Sequence, residues 1–306
     1  MKEMVDFMEN NKNTKNQKKF DTKNSRDFKG NGKKNFDSKG HSSREYSRQR
    51  EEYSKPREEV NTEGLVIGRN AVRELLKSGR EIDKLLVQRG EREGSIVVLV
   101  AEAIERGIPV VESDKAKLDT MSGHLPHQGV IAMASEKEYC DVEDILKIAE
   151  ERGEAPLIVI ADGITDPHNL GSLIRCAEGS GAHGLIISKR RAVGLTPVVS
   201  KSSAGAIEHL AIAKVANIAS TIRMLKEKGV WIFAAEAGGK PYYETDFKGP
   251  CALVFGSEGD GVSEIVKNSC DILTSIPMYG HVNSFNVSTA ASVILCEAAR
   301  QNRAGK

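Results

Sequence analysis

Leu157-Ile-Val-Ile-Ala161 is a continuous apolar run, rich in β-branched side chains. A run without polar alternation fits a strand covered on both faces, as in a parallel sheet whose crossovers are helices. Further short apolar runs follow at Gly184–Ile187, Leu210–Ala213, Trp231–Ala235, Ala252–Phe255 and Ile272–Ile276, and helical patterns fill nearly every interval. The expectation is an α/β, doubly wound parallel sheet of about six strands, preceded by a charged helix at Val142–Arg152 that Gly153 closes. Sheets of this kind bind ligands beyond the carboxyl ends of their strands, which selects the loops that follow residues 161, 255 and 276.

Upstream, residues 63–135 read as a small α/β domain. Helices are expected at Arg69–Lys77, closed by Gly79, at Ile96–Arg106, closed by Gly107, and at Lys115–Met121; strands are expected at Ile82–Val87, Ile108–Val111 and Gly129–Ala134. No catalytic constellation stands out there. His124, Pro126, His127 and Gln128 form a polar loop before the last strand; two histidines without a third ligand favour recognition over metal binding.

The formal charge of +1 conceals an asymmetry: residues 1–62 hold 16 Lys/Arg against 11 Asp/Glu, leaving 28 against 32 for the rest. That first segment is dominated by Lys, Asn, Asp, Ser, Arg and Glu with scattered aromatics, so it reads as a disordered basic tail, either a solubilising spacer or an arm that adds RNA affinity. Nucleic-acid binding by the body requires a local patch. Five cysteines (Cys140, Cys176, Cys251, Cys270, Cys296) without C-x-x-C spacing read as reduced thiols, and no stretch approaches the roughly 20 apolar residues of a membrane span. Both fit a cytosolic protein with no membrane and no metal site.

Three loops carry chemistry. In Asp162-Gly-Ile-Thr-Asp-Pro-His-Asn-Leu-Gly-Ser-Leu-Ile-Arg175, Asp166-Pro167 makes a turn, Asn169 stands near a helix start, and Arg175 lies under two turns beyond it. Helix amides plus a guanidinium suit a phosphate, although an arginine there can equally be solvated. Phe255-Gly-Ser-Glu-Gly-Asp-Gly-Val262 is glycine-rich but lacks the lysine of a P-loop, and Glu258 suits a hydroxyl or a cation better than a phosphate. Ser275-Ile-Pro-Met-Tyr-Gly-His-Val-Asn-Ser-Phe-Asn-Val-Ser288 leads into a helix capped by Ser284 or Asn286, with Val287, Ala290, Ala291, Ile294, Leu295 and Ala298 at helical spacing. The G-x-G-x-x-G fingerprint of dinucleotide folds is absent after the first strand of this sheet, where Asp162-Gly163 stands.

In that order, Asn169…Arg175, Gly256-Ser-Glu258-Gly and Ile276-Pro-Met…Ser284-Phe-Asn286-Val-Ser288 resemble the three motifs of the SpoU (TrmH) branch of the SPOUT RNA ribose 2′-O-methyltransferases. The domain pairing and His127-Gln-Gly-Val130 resemble in particular the bacterial 23S rRNA guanosine-2′-O-methyltransferases. The resemblance implies a SPOUT catalytic domain at 136–306 with a deep trefoil knot, and a ribosomal-protein-like substrate-binding domain at 63–135. It implies S-adenosylmethionine held at Gly256, Ile276, Met278 and Phe285, catalytic roles for Arg175, Asn169, Glu258 and Asn286, and a homodimer that uses the alanine-rich last helix. Gly256 is expected to let the adenosine approach the chain, and Ser284 and Ser288 to brace their loop. Lys201, Arg190, Arg191, His127 and Gln128 are the expected RNA contacts. Transfer to a tRNA guanosine, or a non-catalytic ribosome-assembly role on the same fold, are the alternatives.

Overall fold

The structure is a computed structural model that describes residues 64–90 and 93–303; the tail read at 1–62 lies outside the described residues. The first sheet has the order β1-β4-β2-β3, formed by β1 (Leu65–Ile67), β2 (Ile82–Gln88), β3 (Val110–Ser113) and β4 (Val130–Ala134). β4 runs antiparallel to both neighbours, and β2 and β3 are parallel. Helices α1 (Arg69–Ser78) and α2 (Ser95–Glu105) cover one face, and α3 (Lys115–Met121) covers the other. The period of two along β4 makes this possible: Val130, Ala132 and Ala134 pack beneath α1 and α2, while Ile131 and Met133 meet Leu118 of α3. Three differences from the sequence reading stand out. β1 was not expected, because three residues beside a glycine carry little periodicity. β3 begins two residues later than Ile108, and β4 one residue later than Gly129. Gly79 closes α1 in the left-handed conformation, as a glycine C-cap does.

The second sheet is six-stranded and wholly parallel, with the order β10-β8-β9-β5-β6-β7. Its strands are β5 (Leu157–Ala161), β6 (Gly184–Ser188), β7 (Ala211–Val215), β8 (Trp231–Pro241), β9 (Cys251–Phe255) and β10 (Ile272–Ser275). All five residues of β5 are buried, and they divide by parity. Leu157, Val159 and Ala161 join the core under α5 (Pro167–Gly179), α6 (Pro197–Ser202) and α9 (Val287–Arg303); Ile158 and Ile160 join the core under α4 (Val142–Glu151), α7 (Ile218–Glu227) and α8 (Glu264–Lys267). Helices on both faces are why the apolar run is unbroken.

β8 departs most from the reading. It continues past Ala235 to Pro241, and its pairing with β10 jumps, Leu273 opposing Ala234 and Thr274 opposing Lys240. Residues 235–239 are therefore an excursion in the strand. Gly239 closes it, since a Cβ there would stand 2.6 Å from the Leu273 carbonyl carbon.

The two sheets' domains meet through polar contacts. Glu74 of α1 pairs with His209 at 2.9 Å, Arg80 pairs with Glu208 at 3.3 Å, and Lys201 of α6 donates to the Pro126 carbonyl.

Candidate active site

The loops after β5 and β9 are neighbours because those strands pair side by side, whereas β10 lies at the sheet edge beyond β8. The segment after β10 must therefore cross back over the carboxyl ends of the sheet before entering α9, which packs on α5. That return brings all three motif loops to one place. A cavity of about 420 Å³ opens there, lined by Gly256, Ile276, Met278 and Phe285 together with Glu258, Ser284, Val287 and Ile294.

Each wall has a local cause. Asp166 is the N-cap of α5, its carboxylate accepting the His168 and Asn169 amides at 3.2 and 3.0 Å, and Pro167 occupies the first helical position. Asn169 thus lies inside the first turn. Asp162 Oδ2 accepts the amide and hydroxyl of Ser263 at 2.9 and 2.6 Å, tying the β5 loop to the start of α8. Ser257 and Gly261 exchange backbone hydrogen bonds at 3.1 Å, folding 256–262 back on itself. This crossing by itself requires glycine at 256: an added Cβ would lie 2.0 Å from the Gly261 carbonyl.

A chain of side-chain hydrogen bonds joins the three loops. Ser288 donates from its amide (2.9 Å) and hydroxyl (2.7 Å) to Asn286 Oδ1; Asn286 Nδ2 donates to Asn169 Oδ1 at 2.8 Å; Asn169 Nδ2 donates to Glu258 Oε2 at 3.1 Å. Asn286, not Ser284, therefore serves the start of α9. Arg175 stands outside this chain. Six residues at 100° each place it about 120° around α5 from Asn169, where it is exposed and without a hydrogen-bond or ion-pair partner among the described residues. The alanines of α9 face inward: Ala291 and Ala298 are buried with Val287, Ile294 and Leu295 against their own chain, leaving Ser292 and Cys296 outside.

The expected RNA contacts fall into two groups. Arg190 and Arg191 are exposed on the loop after β6, a loop held by Tyr139, whose hydroxyl accepts the Leu195 amide at 3.1 Å and whose ring lies under Lys214. The others take structural partners. His127 is only 4% exposed, one ring nitrogen meeting Asp119 at 3.0 Å and the other accepting the Gly129 amide. Gln128 caps α1 by accepting the Arg69 amide at 3.0 Å, and Lys201 is partly desolvated against Pro126, its pKa lowered by burial. Sequence reading missed Ala235, Glu236 and Ala237, which line the cavity from the β8 excursion; Glu236 also accepts the Val262 amide at 3.3 Å. Gly238-Gly239 beside a strand was the signal available.

Apolar walls at Ile276, Val287 and Ile294 suit a flat heteroaromatic ring, and the carboxylates of Glu236, Glu258 and Asp260 suit a cation. A nucleoside carrying positive charge fits both, and no lysine or arginine lines the cavity to oppose it. Among the described residues no group of three His, Cys, Asp or Glu side chains is placed to hold a metal, and no helix is long and apolar enough to cross a membrane.

A parallel sheet with a cavity of this kind at its carboxyl edge, joined to a small α/β domain, is the architecture of an α/β protein that binds its ligand at the strand ends. Residues 156–296 match the SpoU rRNA Methylase family, and residues 65–140 match the RNA 2′-O ribose methyltransferase substrate-binding domain. A Bacillus subtilis protein named for the TrmH family of tRNA/rRNA methyltransferases is 44% identical over 238 residues, covering 77% of this chain and 95% of the relative. A Staphylococcus haemolyticus relative of the same name is 43% identical, covering 78% and 95%. The SpoU methyltransferase AviRb from Streptomyces viridochromogenes, solved in complex with AdoMet, superposes with a TM-score of 0.65 at 27% identity over 79% of this chain and 91% of that one. An AdoMet-bound rRNA methyltransferase from Sinorhizobium meliloti gives 0.63 at 26% identity, over 77% and 86%. The chain belongs to the SpoU (TrmH) family of S-adenosylmethionine-dependent RNA methyltransferases, on a SPOUT fold.

Proposed function

We propose that the protein methylates a ribose 2′-hydroxyl, that of a guanosine in 23S rRNA. The observation that carries the reading is the junction of Asn169, Glu258 and Asn286 at the mouth of the cavity, with a substrate-binding domain on the same chain. RNA binding alone would not need that polar set beside a cofactor cavity. In this reading Gly256, Ile276, Met278 and Phe285 hold S-adenosylmethionine, which supplies an electrophilic methyl group. The return of the 276–286 segment across the sheet, against the folded-back 256–262 loop, supports a knotted passage of the chain.

A 2′-hydroxyl is a poor nucleophile at neutral pH, so the protein must hold it at near-attack distance and favour loss of its proton. Arg175 is uncommitted among the described residues, and the planar fork of a guanidinium suits an adjacent phosphate and the reacting oxygen, lowering the energy of developing negative charge. Arg190 and Arg191 extend the basic surface. Because Arg175 points away from Asn169 of its own chain, the reading includes a homodimer in which two copies complete each site. Exposed Tyr279, Val282 and Phe285, on the segment that leads into α9, are the surface for it.

Arg175→Ala tests the reading. Single-turnover methyl transfer to RNA should fall by on the order of 10²-fold, as on loss of one preorganised oxyanion donor, with cofactor affinity held. Arg175→Lys should rescue poorly, since an ammonium lacks the planar fork. Weaker RNA binding at an unchanged saturated rate would make Arg175 a phosphate anchor only; no change in either would remove it from the site. Mapping 2′-O-methyl groups in rRNA and tRNA from a strain lacking the protein distinguishes 23S rRNA from tRNA.

A further inference from the structure

The hydrogen-bond chain at the cavity mouth has a direction, and its origin fixes it. A backbone N–H can only donate, so the amide of Ser288, 2.9 Å from the Asn286 side chain, requires the oxygen of that side chain to face it. The hydroxyl of Ser288, 2.7 Å away, adds a second donor to the same oxygen. Asn286 must then present its NH₂ group to Asn169, 2.8 Å away, and Asn169 must turn its own oxygen to receive it. The NH₂ of Asn169 is left facing Glu258 at 3.1 Å. Glu258 Oε2 is therefore the acceptor at the end of the chain. No amide in the chain can flip without setting two donors or two acceptors against each other.

We propose that this relay, set by the Ser288 amide, orients Glu258 at the cavity mouth so that its free oxygen Oε1 accepts the 2′-hydroxyl hydrogen of the substrate ribose. Oε2 is taken by Asn169; Oε1 has no hydrogen-bond partner among the described residues, and Glu258 lines the cavity. The inference rests on the functional reading above and gives that reading its proton acceptor. As the ribose oxygen gains the methyl carbon, its O–H bond breaks with the electron pair left on oxygen and the proton passes to Glu258. The donor keeps the pair of the broken carbon–sulfur bond as a neutral thioether, and the carboxyl later returns its proton to water. Asn169, Asn286 and Ser288 are positioning residues acting through Glu258.

Asn169→Asp separates this role from simple bracing. The new carboxylate can still accept from Asn286, but its second oxygen faces Glu258, and two carboxylates in contact share one proton. With that proton on residue 169 the donor toward Glu258 is restored; when it leaves, the two charges repel and Glu258 is displaced. Single-turnover methyl transfer by the variant should fall at least tenfold between pH 6 and pH 9, while the wild-type rate does not fall. The other charged groups around the pair, Glu236 and Asp260 in the cavity wall, Asp166 and His168 at the start of α5 and Arg175 further along it, are the same in both proteins. Carbon-13 NMR titration of labelled Asp and Glu carboxyls gives a readout independent of activity: one carboxyl of Asn169→Asp should titrate well above the usual carboxylate range. Glu258→Gln should lower the saturated rate by 10²- to 10⁴-fold, the usual worth of a general base.

Ordinary titration of both carboxyls, or a wild-type pH profile in an active Asn169→Asp protein, would overturn the relay and leave the assignment as a ribose methyltransferase standing. Wild-type protein that transfers no methyl to rRNA or tRNA would overturn both.

Discussion

Replacing Gly256 by alanine measures how tightly the cavity is tied to the backbone crossing beneath it. The added Cβ would stand 2.0 Å from the carbonyl carbon and oxygen of Gly261 and 2.2 Å from the Val262 nitrogen, where ordinary contact begins at 3.4 Å. The obstacle is main chain held by the paired Ser257–Gly261 hydrogen bonds, so no flexible side chain can give way. Overpacking costs roughly 1–3 kcal/mol, and a rigid obstacle puts this site at about 3. For a domain of 150–250 residues that lowers Tm by roughly 6–12 °C. Because Gly256, Ser257 and Glu258 line the cavity, S-adenosylhomocysteine affinity, measured by calorimetry, should fall at least about tenfold, or 1.4 kcal/mol. Gly280→Ala is the control: nothing lies within 4 Å of a Cβ there and its φ is not in the left-handed range, so stability should stay within about 0.5 kcal/mol. If Gly256→Ala unfolds at the wild-type temperature and binds S-adenosylhomocysteine as tightly, the crossing does not shape the cavity and the reasoning fails.

Arg80→Ala should destabilise the protein by about 3–5 kcal/mol near pH 8, because it leaves the Glu208 carboxylate, 1% exposed, without the guanidinium that pairs with it. Burial raises the pKa of Glu208, and Arg80 pulls it back. A carboxyl whose folded pKa is raised favours folding below its unfolded pKa and loses that contribution as pH rises; the penalty of the variant, read by urea unfolding, should therefore shrink toward pH 5. A pH-independent penalty would refute the pairing. Deleting residues 1–62, with their 16 basic against 11 acidic side chains, should leave cofactor affinity intact while weakening RNA binding and flattening its salt dependence. Equal salt slopes with and without the segment would make it a spacer.

By itself the sequence determined the sheet and the place of the site. An unbroken apolar run such as 157–161 has only one stable use in a chain with helices on either side, and glycine- and asparagine-bearing loops after the strands then fall at one edge. It also supplied Asn169, Glu258 and Asn286, because the polar side chains of those loops share that edge wherever the strands lie. The tertiary structure alone decided what several of these residues do. Gly256 is needed by Gly261, Gln128 by the first amide of α1, and the alanines of α9 by α5 rather than by a second copy. The partners of Gln128 and α9 are some sixty and over a hundred residues away in the chain. Glu236 was hidden because its excursion exists only through a jump in pairing with β10, which no local pattern records. The direction of the Ser288–Asn286–Asn169–Glu258 relay required the fold as well, since it joins three loops that only the packed sheet brings within hydrogen-bond reach.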